Sequence, residues 1–230
     1  FTKTNAATSL GNLKLNMSGL NNSLSLLNGM GFYQLTISGN ISWTNSGGTV
    51  GIERVTVYGR FTISNTLSIS AYWSGGLFNY GRVDGTGTVR LNLYDASPTW
   101  TTIGIIDIAE LEIRERSDAT GNRSLLLGGD LNCNKVTVQS QHATRTGTLN
   151  LNGHSLTASS ITVGTRGILQ CGEGTITTGS LDSSAGTITP ETAQWIFDGA
   201  GTVKTNGTDK MHDAVVREDA FITLGSNMII

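Results

Sequence analysis

Between residues 147 and 171 the chain reads GTLNLNGHSLTASSITVGTRGILQC, and its apolar and polar residues alternate with period two. Thr148, Asn150 and Asn152 alternate with Leu149 and Leu151, which puts the two sets on opposite faces of a strand. Gly, Asn and Ser interrupt the alternation every few residues, in the manner of turns, and then it resumes. No helical period occurs in the stretch.

The pattern returns elsewhere. Apolar–Asn–apolar triplets stand at Leu15-Asn16-Met17, Leu91-Asn92-Leu93, Leu131-Asn132-Cys133 and Leu149-Asn150-Leu151, separated by 76, 40 and 18 residues. These intervals approximate four, two and one units of about 19–20 residues, a period that signals a solenoid. Gly48, Gly87 and Gly147 each open a Gly-Thr-aliphatic run, and their spacings of 39 and 60 fit the same unit. The sequence therefore predicts an all-β fold: a β-solenoid of the parallel β-helix kind, with coils of about 19–20 residues. Tandem β-sandwiches are the alternative, since they too use short strands with turns every ~8–12 residues.

No linker interrupts the chain, so one elongated solenoid over 1–230 is expected, with irregular coils in 1–84 and more regular ones in 85–230. Strands are predicted near 13–17, 23–27, 34–38, 41–43, 49–52, 55–58, 61–63, 67–70, 85–94, 103–113 and 125–127, then through 129–190. Short ones follow near 195–197, 202–204, 214–216 and 221–224. Residues 95–99, with Pro98, read as a loop, and the charge cluster 114–118 reads as a solvated loop. No amphipathic helix is predicted to cap either end, so the stack is expected to continue into further coils or to meet other subunits.

Composition narrows the class. A formal charge of −2 with 14% charged residues and no basic run gives no footing for a nucleic-acid partner. No run of about 18 apolar residues occurs, so no helical membrane span is expected. Only 37% of residues are apolar while 30 are Gly and 2 are Pro, which suits a thin core with many tight corners. The chain opens on Phe1 with no signal-peptide pattern, as a processed form or a piece of a longer protein would.

Candidate chemistry is sparse. Cys133 and Cys171 are read as inward residues of one column, two coils and about 9.6 Å apart, too far for a mutual disulfide. They are expected either as buried free thiols or as inter-chain cross-links. Five sequons, at Asn16, Asn21, Asn40, Asn122 and Asn206, are candidate glycosylation sites. At a period near 20, Asp95 and Glu115, or Glu110 and Asp130, become stacked carboxylate pairs of the kind glycoside chemistry uses. Arg90, Glu110 and Asp130 then read as one charge-balanced ladder. His142, His154 and His212 have no nucleophile in a recognisable frame, and Trp43, Trp73, Trp100 and Trp195 are assigned to packing or sugar stacking. The threonine pairs of Thr175-Ile176-Thr177 and Thr187-Ile188-Thr189, 12 apart, do not form an outward ladder at this period. No catalytic, cofactor or metal site is assigned.

The segments GTLNLNGHSLTASSITVG, GTITTGSLDSSAGTIT and GTVKTNG resemble the Thr/Asn/Gly-rich β-solenoid repeats of secreted and cell-surface proteins, well over 85–230 and loosely before it. The likeness is one of style and identifies no single family. It implies an extracellular or cell-surface protein without enzymatic activity, whose partner is itself, polymerising through its ends or edges into a filament, sheath or surface layer. A carbohydrate-binding adhesin or phage-fibre module, with glycans as partner, is the alternative. A polysaccharide-degrading enzyme ranks below both.

Overall fold

The computed structural model describes residues 9–15, 22–25, 31–44, 51–71, 76–94, 99–102, 104–116 and 122–225. Its strands follow one another around successive coils. β1 (Ser9–Leu15) and β2 (Asn22–Ser25) lie beside β3 (Gly31–Ile37) and β4 (Asn40–Thr44). Then come β5 (Gly51–Val57), β6 (Arg60–Ile63) and β7 (Leu67–Ala71), followed by β8 (Gly76–Asn79) and the long β9 (Arg82–Leu93). The middle contains β10 (Thr99–Thr102), β11 (Ile105–Glu115), β12 (Arg123–Leu127) and β13 (Leu131–Ser140). Beyond them lie β14 (Gly147–Asn150), β15 (Leu156–Val163), β16 (Gly167–Gln170) and β17 (Thr175–Asp182). β18 (Thr187–Thr189), β19 (Gln194–Phe197), β20 (Ala200–Lys204), β21 (Asp213–Val216) and β22 (Phe221–Leu224) complete the stack. No helix occurs among the described residues.

Every strand pairing is parallel, and each joins a strand to its counterpart one coil away, as β13 with β15 and β15 with β17. That is a β-solenoid; a β-sandwich would pair its strands antiparallel. Because side chains alternate, each rung sends one set inward, and the inward sets stack into columns at the strand spacing of about 4.8 Å. One column runs through Ile41, Phe61 and Val83, and after the middle coils through Leu131, Leu156, Ile176 and Trp195. All of these are buried. Trp43 meets Phe61 edge-on at 6.0 Å, and Trp195 stacks on Phe197 at 6.2 Å, so both indoles fill the core. A buried aliphatic side chain contributes about 1.5–3 kcal/mol, and here it comes mainly from the coils above and below.

The long strands bend at the corners. β11 shifts register against β9 between Ile108 and Glu110, opposite the Gly85-Thr86-Gly87 bend, where strand direction changes. At another corner Gly59, Gly81 and Gly104 stack so closely that a Cβ on Gly81 would lie 2.1 Å from the carbonyl oxygen of Gly59. A side chain there would force neighbouring coils apart. The high glycine content of the sequence is spent at such approaches.

The 19–20-residue coil holds along β14, β16 and β18, where Gly147 pairs with Gly167 and Ile168 with Thr187, but widens to 22 where Leu181 pairs with Val203. It holds again early, where Leu35 pairs with Val55. Middle coils are longer, with Ile105 on Arg82 and Leu131 on Leu156, steps of 23 and 25 residues. The extra residues of the 25-residue step fall between strands, in 141–146. The triplets therefore do not mark one repeated position. Asn92 is buried and donates to Ser68 Oγ at 2.8 Å, Asn132 faces outward, and Asn150 donates to Gln170 at 3.1 Å.

Candidate functional site

The charged residues that the sequence scattered along the chain form clamps on the outer surface of the middle coils. Asp84 accepts from Arg60 Nε and Nη2, at 2.9 and 2.8 Å, from Arg82 Nε, and from Thr62 Oγ1 at 2.9 Å. Burial pushes its carboxyl up, but these donors outweigh burial and leave it below the ordinary value. Glu112 repeats the arrangement between Arg90 Nε, at 2.7 Å, and Arg114 Nε, with Gln139 as a third donor. Its carboxyl too is raised by burial and lowered further by the arginines, for a net fall. Asp84 thus ties β6 to β9, and Glu112 ties β9, β11 and β13 together.

The expected carboxylate pairs do not form, because the local coil step is 22 to 25 residues and not 20. Glu110 stands between Thr88 and Lys135, with its Oε1 2.9 Å from Lys135 Nζ. Asp130 accepts the backbone N–H of Ser155 at 2.8 Å and lies 3.8 Å from His154 Nδ1. Arg90 faces Glu112 in place of Glu110, so the ladder of Arg90, Glu110 and Asp130 is also wrong. Glu115 turns into the interior against Ser140 Oγ, while Asp95 lies outside the described residues. A shallow groove of about 430 Å³ beside Asp130 is otherwise lined by Gly104, Ile105, Asn132, Ser155 and Thr157, with no second acid.

Cys133 and Cys171 are free and buried. They do not share a column. Cys133 lies between Ile108 and Ala158, whereas Cys171 follows Gln170, in the stack of β14 and β16, where Leu151 precedes it. Burial raises the Cys133 thiol to about 12 and raises that of Cys171 as well, so both stay protonated at neutral pH. Neither is presented to a second chain in this conformation.

Three sequons are described, all exposed. Asn40 opens β4. Asn122 accepts the N–H of Thr146 at 3.1 Å and leaves its side-chain nitrogen outside that bond. Asn206 differs: its Nδ2 donates to the carbonyl of Gly186 at 2.7 Å, and its Oδ1 accepts from Thr208 N and Asp209 N. Asn16 and Asn21 lie outside the described residues.

Sugar stacking by tryptophan loses Trp195 and Trp43, both fully buried. Trp73 lies outside the described residues, and only the backbone of Trp100, in β10, is described. Sequence reasoning missed the aromatic pair that is exposed. Tyr58 and Tyr80 stack at 5.3 Å on consecutive coils, next to the Gly59 and Gly81 corner. The signal available was the repeated dipeptide Tyr-Gly before Arg, at 58–60 and 80–82.

Exposed apolar side chains gather on the last described strands. Of the eight large apolar or aromatic side chains exposed among the described residues, four are Val215, Val216, Phe221 and Leu224 on β21 and β22. Val216 occupies the rung beyond Phe197, and Leu224 the rung beyond Val203. Their counterparts one coil earlier are buried, while they are 52% and 57% exposed because no further rung covers them among the described residues. The fold thus defines the class, a parallel β-solenoid with charge-clamped sides and an apolar last described rung. No protein-family model, curated protein or solved structure matches the chain. No group of His, Cys, Asp or Glu that could hold a metal occurs among the described residues, and no described helix is long and apolar enough to cross a membrane.

Proposed function

We propose that this chain is a structural β-solenoid of the cell surface or extracellular space that associates with copies of itself into a filament, sheath or surface layer. The observation that carries the reading is the last described rung, where Val216, Phe221 and Leu224 are exposed on strands that have one unpaired edge among the described residues. An unpaired edge with apolar side chains favours addition of another strand. The rigid clamps around Asp84 and Glu112 fit a load-carrying rod. Sedimentation over a concentration series with negative-stain microscopy tests this: growth into rods, tubes or sheets supports it, and a strict monomer at high concentration refutes it.

A glycan-binding module is the second reading, favoured by the half-exposed Tyr58–Tyr80 pair. It requires glycan binding that is lost in Tyr58→Ala and Tyr80→Ala.

A further inference from the structure

Polar side chains on the outside of the middle coils fall into two groups, divided by the bend at 108–110. Beyond the bend they satisfy one another: Arg90 and Arg114 are held by Glu112, and Lys135 by Glu110. Before the bend, two adjoining hollows of about 430 and 360 Å³ run over β9, β11, β13 and β15. Asn132 lines both, so they form one groove that follows the solenoid axis across these strands.

The floor of the groove is a column of outward residues. Asp107 pairs with Asn132 and Asn132 with Thr157, which spaces their side chains at about 4.8 Å. All three are exposed. Asn132 and Thr157 make no side-chain hydrogen bond among the described residues, and Asp107 has only a long contact with Arg82, at 3.4 Å. Beside them Asp130 uses Oδ1 on the Ser155 N–H and leaves Oδ2 outside that bond. Ile105, 57% exposed, adds an apolar patch. Gly104, at the edge of the groove, stacks on Gly81, so the Tyr58–Tyr80 pair stands at the same corner.

This surface discriminates between ligands. Every strand beneath it is paired on both sides, so an extended peptide finds no edge to join. Its lining has two carboxylates and neither Lys nor Arg, which disfavours a polyanion. Carboxylate, amide and hydroxyl groups beside an aliphatic and an aromatic patch suit a sugar, which has hydroxyls on its rim and C–H bonds on its faces.

We infer that the groove binds a neutral, extended glycan lying along the solenoid axis, one sugar unit to a coil, with its hydroxyls on Asp107, Asn132 and Thr157. The inference rests on the glycan reading given above and extends it from the tyrosine pair into the groove. A unit of an extended glycan advances by nearly one strand spacing, so the same contacts repeat from coil to coil. An extended peptide, at about 3.3 Å per residue, falls out of step.

Titration calorimetry tests this with the full chain, using gluco-, manno-, xylo- and chito-oligosaccharides of increasing length and oligogalacturonate as the anionic control. At least one neutral series is expected to bind, with affinity rising with length and levelling off at about four units, one for each strand under the groove. Thr157→Arg fills the groove from an exposed position; it should melt as wild type and weaken binding at least tenfold, and Asn132→Ala should weaken it several-fold. Binding lost in Tyr58→Ala and Tyr80→Ala but indifferent to Thr157→Arg and Asn132→Ala overturns the groove and leaves the glycan reading standing. Affinity that stops rising at two units overturns the alignment along the axis, and binding of oligogalacturonate alone overturns the neutral ligand. No binding in any series overturns the groove and the glycan reading together.

Discussion

Replacing Asp84 by Asn keeps the size of the side chain and removes its charge, which isolates the contribution of one clamp. The carboxylate receives Arg60, Arg82 and Thr62, from its own and the neighbouring coil. A hydrogen bond to a charged group contributes about 1.5–3 kcal/mol. Arg60 and Arg82, however, are 55% and 39% exposed, so water resolvates them once the charge is gone. Each arm is therefore discounted to about 1 kcal/mol or less. The Thr62 bond survives on Asn Oδ1. The expected loss is about 1–2 kcal/mol at pH 7. The carboxyl of Asp84 is depressed in the folded state. Its contribution is thus complete above the unfolded value near about 3.9 and fades as pH falls through the folded value. Urea unfolding followed by far-ultraviolet circular dichroism should show a constant deficit from pH 7 to pH 5, narrowing only below about pH 4. An unchanged midpoint at pH 7, or a deficit as large at pH 3 as at pH 7, refutes the clamp as an electrostatic element.

Gly81→Ala puts a Cβ 2.1 Å from the Gly59 carbonyl oxygen and should lower stability by on the order of 3 kcal/mol; an unchanged melting temperature refutes the close approach. Trp195→Ala removes a fully buried indole stacked on Phe197 and should cost about 3–5 kcal/mol in thermal or urea unfolding. A stable variant that loses only glycan binding contradicts that placement. Both cysteines should resist a thiol reagent in the folded chain and react in denaturant, giving two thiols per chain; fast labelling of either in buffer refutes its burial. In a host that glycosylates sequons, mass spectrometry should find Asn122 more fully occupied than Asn206, whose Nδ2 is held by Gly186. Equal occupancy counts against that bond.

Period-two alternation and the Gly, Asn and Ser breaks determined, from the sequence alone, that this chain forms short strands, that they coil, and which residues point inward. Leu149, Leu151, Leu156 and Ala158 are all buried as the alternation requires. Side-chain parity depends on the strand's own geometry, so it is local and legible. Which inward residue sits above which was not legible. Cys133 and Cys171 have the parity assigned to them but occupy different stacks. Glu110 meets Lys135, and Asp130 meets Ser155, where a constant period had stacked the two acids. The terminal rung and the Tyr58–Tyr80 pair likewise emerge only once coils are stacked. The physical reason is that a loop such as 141–146 lies between strands, so residues can be added there without disturbing any strand. Each addition shifts every later residue against its neighbour, and only the closed hydrogen-bond ladder of the folded solenoid decides by how much.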